Sequence, residues 1–360
     1  MLDKNVDATY LISTNNLSST LFDVKEKINK WGIIKSELFS DLKFYECYMD
    51  MSKVYVVNDN FGRRNPIKSL FTIIKLLFFI WKNGFDVIHT DFALYGWYCF
   101  LYFYKKKIVF VQHDPFPHTG TNLSDNVNKR LDRAHRKLNK FVILNKSQYS
   151  DFCSKYSIAP DKILVNQLGA MEYVHLFSDN NIKPKKNRVA FWGRISEYKG
   201  IEYLCEAMKK VHEEIPDASL TIVGGGKLYF DFNPYSNLPY IQLINRFVDS
   251  SELLKYASEA SIAVFPYTDS TQSGCVLTAY TLGIPVITTK SDTMMEIVDD
   301  GKSALTVPVR DSEALANAII RLLDDENLQQ NMHNYLLTEF FSGERSWEAI
   351  TDKYLDFYAK

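Results

Sequence analysis

The sequence lacks the features that define several large protein classes. Its five cysteines, Cys47, Cys99, Cys153, Cys205 and Cys275, are odd in number and scattered. No disulfide framework and no short-spaced zinc or redox pair is indicated, so a reducing compartment is expected. No apolar run reaches the ~20 residues that a membrane-spanning helix needs. The two richest stretches, residues 70–81 and 92–104, are shorter, and the first is broken by Thr72 and Lys75. The start, MLDKNVDATYLIST, has neither the basic opening nor the apolar stretch of a secretory signal, which points to a cytoplasmic location. No repeat of solenoid period and no long low-complexity tract is present.

What is present is a chain of 360 residues, 46% hydrophobic and 24% charged, as in soluble globular proteins. That length exceeds what one core usually serves, so two domains are expected. The net charge of −1 hides an asymmetry. Residues 1–170 carry 24 Lys and Arg against 16 Asp and Glu, and residues 171–360 carry 18 against 27. Halves of opposite sign suggest separate units with separate partners.

Short β-rich runs alternate with helical segments throughout. The first half contains ATYLIST, KVYVVND, DVIHTD, KIVFVQHD and KFVILN. The second contains NRVAFWG, ASLTIVGGG, IQLINRFV, SIAVFPY, IPVITT and ALTVPV. This alternation predicts an α/β protein with two parallel sheets and covering helices. A polar, lysine-rich stretch with Pro184 marks residues 171–188 as a linker between an N-terminal domain, 1–170, and a C-terminal domain, 189–345. A final helix, 346–360, is expected to pack back on the first domain.

Ligands of open α/β sheets bind beyond the carboxyl ends of strands. The strand ending at Trp192 runs there into Gly193, Arg194 and Lys199 before a helix. A guanidinium fork beside a mobile ammonium suits a diphosphate, although a solvated loop with surface cations has the same composition. Gly224-Gly225-Gly226 either admits a phosphate or forms a tight turn. A helix opening near Ser273 and Gly274 offers free amides to an anion. Asp292 and Glu296 read as helix-capping acids. In the first half, KIVFVQHDPFPHTG ends a buried strand at His113-Asp114, with His118 beyond. A metal site is the alternative use of these three, but no further ligand cluster accompanies them.

The string FWGRISEYKGIEYLCEAM resembles the Gly-Arg...Lys-Gly segment of retaining GT-B glycosyltransferases, in particular family 4. The likeness continues through ASLTIVGGG, NRFVDSSELLKYASEASIAVFPY, SGCVLTAYTLGIPVITT and MMEIVDDGKSALTVPVRDSEALANAI, over nearly all of residues 189–330. It implies a GT-B architecture of two Rossmann-like domains facing a cleft, with the acceptor on the first domain and a nucleotide-sugar on the second. Arg194 and Lys199 would grip the donor diphosphate, and His113 would face the donor sugar, with Asp114 and His118 as second choices. Gly193, Ser270, Ser273, Gly274, Cys275 and Thr278 would complete the donor site, and the main chain of Arg246, Phe247 and Val248 would pair with the base. The family usually places two glutamates around the start of the following helix. Aligned on Gly283 and Pro285, those positions hold Ser270 and Thr278 here, while Thr271-Gln272-Ser273-Gly274 resembles a Gln-Ser-Gly version of the loop.

The resemblance implies sugar transfer with retention, with charge stabilisation of the leaving nucleotide as the main catalytic effect. No metal or other cofactor is then required, and UDP is the expected nucleotide. Two rivals are a metal-dependent transferase using Val57-Asn58-Asp59-Asn60 and a non-catalytic nucleotide-sugar-binding subunit. The expected acceptor is a saccharide, either free or lipid-linked, and no nucleic-acid partner is expected. A basic segment, residues 126–140, and the stretch 66–82, with Lys68, Lys75 and Lys82 at sevenfold spacing, suggest peripheral attachment to an anionic membrane. The competing reading makes 66–82 a core helix with most of its apolar face inside.

Overall fold

The computed structural model describes residues 4, 6–13, 30, 32–58, 66–90, 101, 103–113, 115–116, 132, 135–179, 181–270 and 273–360. Contacts group the chain into two compact units, Met1–Val111 with Asp125–Phe141, and Gln112–Ser124 with Val142–Lys360.

In the first unit β1 (Tyr10–Ser13) and β2 (Gly32–Lys35) flank β3 (Val54–Asn58). β1 runs parallel to β3 and β2 antiparallel. The antiparallel β2 departs from the all-parallel expectation. Its sequence, GIIK, is too short to show a period. Helix α1 (Pro66–Asn83) packs against β2. β4 (Ile88–Thr90) pairs in parallel with β5 (Ile108–Gln112), and β6 (Lys140–Ile143) and β7 (Ile163–Val165) follow in the chain. Asn58, part of the stretch considered as a metal motif, is fully buried and donates from Nδ2 to Lys30 O at 2.6 Å, so a structural bond occupies it. Asp59 and Asn60 lie outside the described residues.

In the second unit α2 (Tyr149–Tyr156) precedes β7, and a six-stranded parallel sheet follows. In chain order its elements are β8 (Arg188–Trp192), α3 (Ile201–Glu214), β9 (Ser219–Val223), α4 (Asn233–Ser236), β10 (Ile241–Ile244), α5 (Ser250–Ser258), β11 (Ile262–Phe265), α6 (Gly274–Thr281), β12 (Val286–Thr289), α7 (Asp292–Met295) and β13 (Ala304–Val307). Helices α8 (Ser312–Asp324), α9 (Glu326–Thr338) and α10 (Trp347–Ala359) end the chain. The strand order is β10-β9-β8-β11-β12-β13. The chain therefore winds outward from β8 in one direction and from β11 in the other, which is the doubly wound order 3-2-1-4-5-6. β11 and β12 are buried along their whole length, because helices cover both faces of a parallel sheet. Helix α3 buries Ile201, Leu204, Cys205, Met208 and Val211 at helical spacing and packs along α8.

Residues 171–188 lie within the second unit and are bonded into it at both ends. Met171 N donates to Thr281 Oγ1 at 2.9 Å, and Lys185 N donates to Glu259 O at 2.8 Å. The C-terminal helix meets residues 166–170: Trp347 Nε1 donates to Ala170 O at 2.9 Å and Asn166 Nδ2 to Ile350 O at 3.1 Å. A side chain at Gly169 would collide with the Trp347 indole at 2.8 Å.

Candidate functional site

The point where the winding reverses lies between β8 and β11, and the loops leaving their carboxyl ends form the candidate site. After β8 the chain turns at Gly193, with φ +126°, through the exposed Arg194 and a short 3-10 turn, Glu197–Lys199, to Gly200 and α3. The glycine run after β9 packs directly beneath. A Cβ on Gly224 would lie 1.9 Å from Gly193 O, and one on Gly226 would lie 2.1 Å from Ile195 O. The run thus serves as a turn supporting the β8 loop. Gly225 O accepts from Ile195 N at 3.2 Å.

Lys199 is buried, at 7% exposure. Its Nζ sits 3.6 Å from the ring centroid of Tyr267 and 4.8 Å from that of Tyr198. A desolvated cation over an aromatic face gains about 2 kcal/mol, several times a surface ion pair. Tyr267, just after β11, is wholly buried, and burial holds its phenol well above the ordinary value. Its hydroxyl accepts from Ser273 Oγ at 3.2 Å. Ser273 in turn caps α6, accepting from Val276 N at 3.2 Å. The helix opens where the sequence predicts it, with Gly274 exposed. Cys275 is half-buried, and its Sγ would meet a Cβ on Gly193 at 3.0 Å. Gly193, Lys199, Ser273, Gly274 and Cys275 therefore form one constellation.

Arg246, Phe247 and Val248 bridge β10 and α5. The Phe247 N would lie 3.1 Å from a Cβ on Gly225, which brings this main chain beside the glycine run. The Arg246 guanidinium pairs with Glu252, Phe247 is 68% exposed and Val248 is buried. Asp249 caps α5 by accepting from Glu252 N at 2.9 Å, which fixes the turn.

Ser270 and Thr278, at the usual glutamate positions, are both buried. The Ser270 hydroxyl lies 2.7 Å from Thr293 Oγ1 and 3.0 Å from Ser291 Oγ. A hydroxyl knot thus joins this loop to the start of α7. Ser291 is the cap of α7, accepting from Met294 N at 3.3 Å, which corrects the capping role expected of Asp292 and Glu296. Asp292 occupies the first turn. Glu296 instead accepts from Lys146 N at 2.6 Å and Ser147 N at 2.7 Å. Nothing in local sequence reveals such a contact across 150 residues.

His113 follows β5 directly and is half-buried. Asp114, His118, Thr271 and Gln272 lie outside the described residues. Among the described residues, no group of three or more His, Cys, Asp or Glu is arranged to hold a metal. Sequence reasoning missed Tyr267, whose only signal is an aromatic at the end of a central strand. It also missed Tyr229, whose hydroxyl accepts from Ile201 N at 2.8 Å at the start of α3 and bonds Glu202, whose carboxyl is raised by burial.

A doubly wound sheet with cationic and glycine-rich loops at its reversal point defines a nucleotide-binding α/β domain. Residues 186–325 match the family described as Glycosyl transferases group 1, and residues 44–169 match Glycosyltransferase Family 4. The chain belongs to this family of glycosyltransferases. It is 23% identical over 231 residues to an uncharacterized glycosyltransferase of Methanocaldococcus jannaschii, covering 60% of this chain and 59% of that protein. It is 26% identical over 222 residues to the capsular polysaccharide biosynthesis glycosyltransferase CapM of Staphylococcus aureus, covering 59% and 56%. The aligned stretch thus spans under two thirds of each relative. Anabaena HepE in complex with UDP and glucose superposes with a TM-score of 0.65 at 15% identity, covering 89% of both chains, so the fold is GT-B.

Proposed function

We propose that the chain transfers a sugar from a UDP-sugar to a saccharide acceptor, with retention at the anomeric carbon, in polysaccharide or glycan biosynthesis. The observation that carries this reading is the convergence of Lys199 and the α6 amides at the sheet's reversal point, with Arg194 on the same loop. Lys199, Arg194 and the α6 N-terminus meet the diphosphate, whose growing charge they stabilise as the sugar departs. Trp192 Nε1 and Ser196 Oγ, on either side of Arg194, are buried with no hydrogen-bond partner among the described residues, and polar groups of this kind favour a polar ligand. The UDP and glucose of the Anabaena structure support the donor class, and the CapM likeness supports the pathway class. With Ser270 and Thr278 at the usual glutamate positions, the donor sugar is held without that carboxylate pair, and the Ser270 hydroxyl is bonded to Ser291 and Thr293. His113 faces the donor sugar, with Asp114 and His118 as second choices on the acceptor or sugar side. The acceptor is lipid-linked and met at an anionic bilayer.

The test is transfer or donor hydrolysis by the purified chain with UDP-, GDP- and ADP-sugars. Turnover of a UDP-sugar that persists in excess EDTA is expected, because protein cations and helix amides meet the diphosphate charge. Loss of activity restored by Mg²⁺ or Mn²⁺ would count against metal independence, and binding with neither hydrolysis nor transfer would mark a non-catalytic subunit. His113→Ala is expected to impair transfer while donor affinity is largely kept. Unchanged kinetics would remove His113 from the reaction.

A further inference from the structure

Helix α1 has its amphipathicity turned outward. Ile67, Leu70, Phe71, Ile74, Phe78 and Trp81 are between 40% and 69% exposed, whereas Ser69 and Thr72 on the opposite side are buried. At 100° per residue these six side chains fall within an arc of about 100°, a single stripe along a helix about 27 Å long. Among its described apolar side chains, only Ile73, Leu76 and Ile80 are buried. The reading of 66–82 as a helix with most of its apolar face inside is therefore reversed. Thr72 is accommodated inside because its hydroxyl donates to Lys68 O at 3.0 Å.

Lys68, Lys75 and Lys82 recur every seven residues, a spacing that keeps them along one rim of the stripe. The Lys75 stem packs over Gly32, where a Cβ would lie 3.2 Å from its Cδ. Beside it is a cavity of about 630 Å³ lined by Lys30, Lys35, Lys75, Ile33 and Leu38, with Glu37 as the one acid among the described lining residues. Near the helix's carboxyl end, Tyr104 donates to Leu77 O at 3.1 Å, which brings the 79%-exposed Phe103 and the exposed Lys105 and Lys106 next to the stripe.

We propose that this face of α1 docks on an anionic lipid bilayer, with the aromatic stripe entering the headgroup and acyl boundary and the lysines meeting lipid phosphates. The proposal rests on the membrane-side reading of the acceptor given above and adds the surface that makes the contact. An apolar stripe rimmed by cations matches an interfacial helix, since each lysine near an anionic surface adds to the attraction. A second copy of the chain fits less well, because an antiparallel twofold pairing on the stripe would set the lysine rims against one another.

The test is co-sedimentation of the full chain with phosphatidylglycerol vesicles that contain neither donor nor acceptor. Binding is expected at low salt, weakened at least about tenfold by pure phosphatidylcholine or by high salt. Phe78→Ser with Trp81→Ser, and separately Lys82→Gln with Lys105→Gln and Lys106→Gln, are each expected to weaken it by about tenfold or more. Bromine-labelled acyl chains should quench a fluorescence component that Trp81→Phe removes. Absence of binding to anionic vesicles, wild-type binding by the serine variant, or self-association through this face would overturn the proposal. Donor hydrolysis measured without vesicles reports on the transferase reading separately.

Discussion

Lys199→Ala is expected to lower turnover by about 10²-fold or more, equivalent to roughly 3 kcal/mol, the usual loss when one charge-stabilising group is removed from a reacting centre. Arg194→Ala should cost a similar factor, yet the two should differ in stability. Arg194 is exposed on its loop, so its removal leaves the melting temperature unchanged. Lys199 is buried over Tyr267, so its removal also deletes a packed stem and a cation–π contact. That adds an expected destabilisation of about 1–2 kcal/mol. Lys199→Arg is not a safe replacement, because a rigid planar fork delivers its charge in a different place and geometry from the compact ammonium at the end of the Lys199 stem. Steady-state kinetics with thermal melts on all three variants separates the effects. Wild-type turnover in both alanine variants would remove the diphosphate role from this loop.

The largest expected loss of stability comes from Gly224→Ala. Gly224 has φ +150°, a backbone conformation that L side chains rarely adopt, and its added Cβ would lie 1.9 Å from the Gly193 carbonyl oxygen. The strain alone costs about 1–2 kcal/mol, and the obstacle is backbone at the end of a central strand, which cannot rotate aside. A total of about 3 kcal/mol or more is expected, or a fall of about 6–12 °C in melting temperature for a unit of this size. Gly301→Ala supplies the control. It too has a positive φ, +80°, but nothing lies within 4 Å of the added atom. Its cost should stay near 1 kcal/mol. Equal shifts in the two variants would show that conformation alone, without the Gly193 contact, sets the penalty. Because Gly193 begins the loop carrying Arg194, Gly224→Ala should also depress turnover of whatever protein remains folded.

Much of this was legible in the chain itself, and the reasons differ by residue. The strands from Arg188–Trp192 to Ala304–Val307 were readable because each is a short apolar run closed by glycine, proline or a polar turn. The cap at Ser273 was readable because a hydroxyl ahead of an apolar helical run has few other uses. Gly32–Lys35 and Ile163–Val165 escaped because three or four residues carry no periodicity. Tyr267 escaped because aromatic residues at strand ends usually belong to the core. Its burial agrees with that expectation, and only the position of Lys199 sets it apart. The Glu296 contact and the outward stripe of α1 depend on which surface another segment covers. Sequence periodicity fixes a helix's stripe but not the side it presents to the core.

The bonds that tie residues 166–170 to the last helix also order events during synthesis. Asn166 waits for Ile350, 184 positions later, and Gln167 for Glu344, 177 positions later. Contacts of such separation close late, since the loop entropy must be met before they form. At ~5–20 residues per second, the ribosome needs on the order of ten seconds or more to deliver the partner of Asn166. Until then the buried Asn166 amide and the surface that receives Trp347 stay open to water, to chaperones and to neighbouring chains. The helix Trp347–Ala359 thus acts as the latch that closes this face of the unit once it has been made.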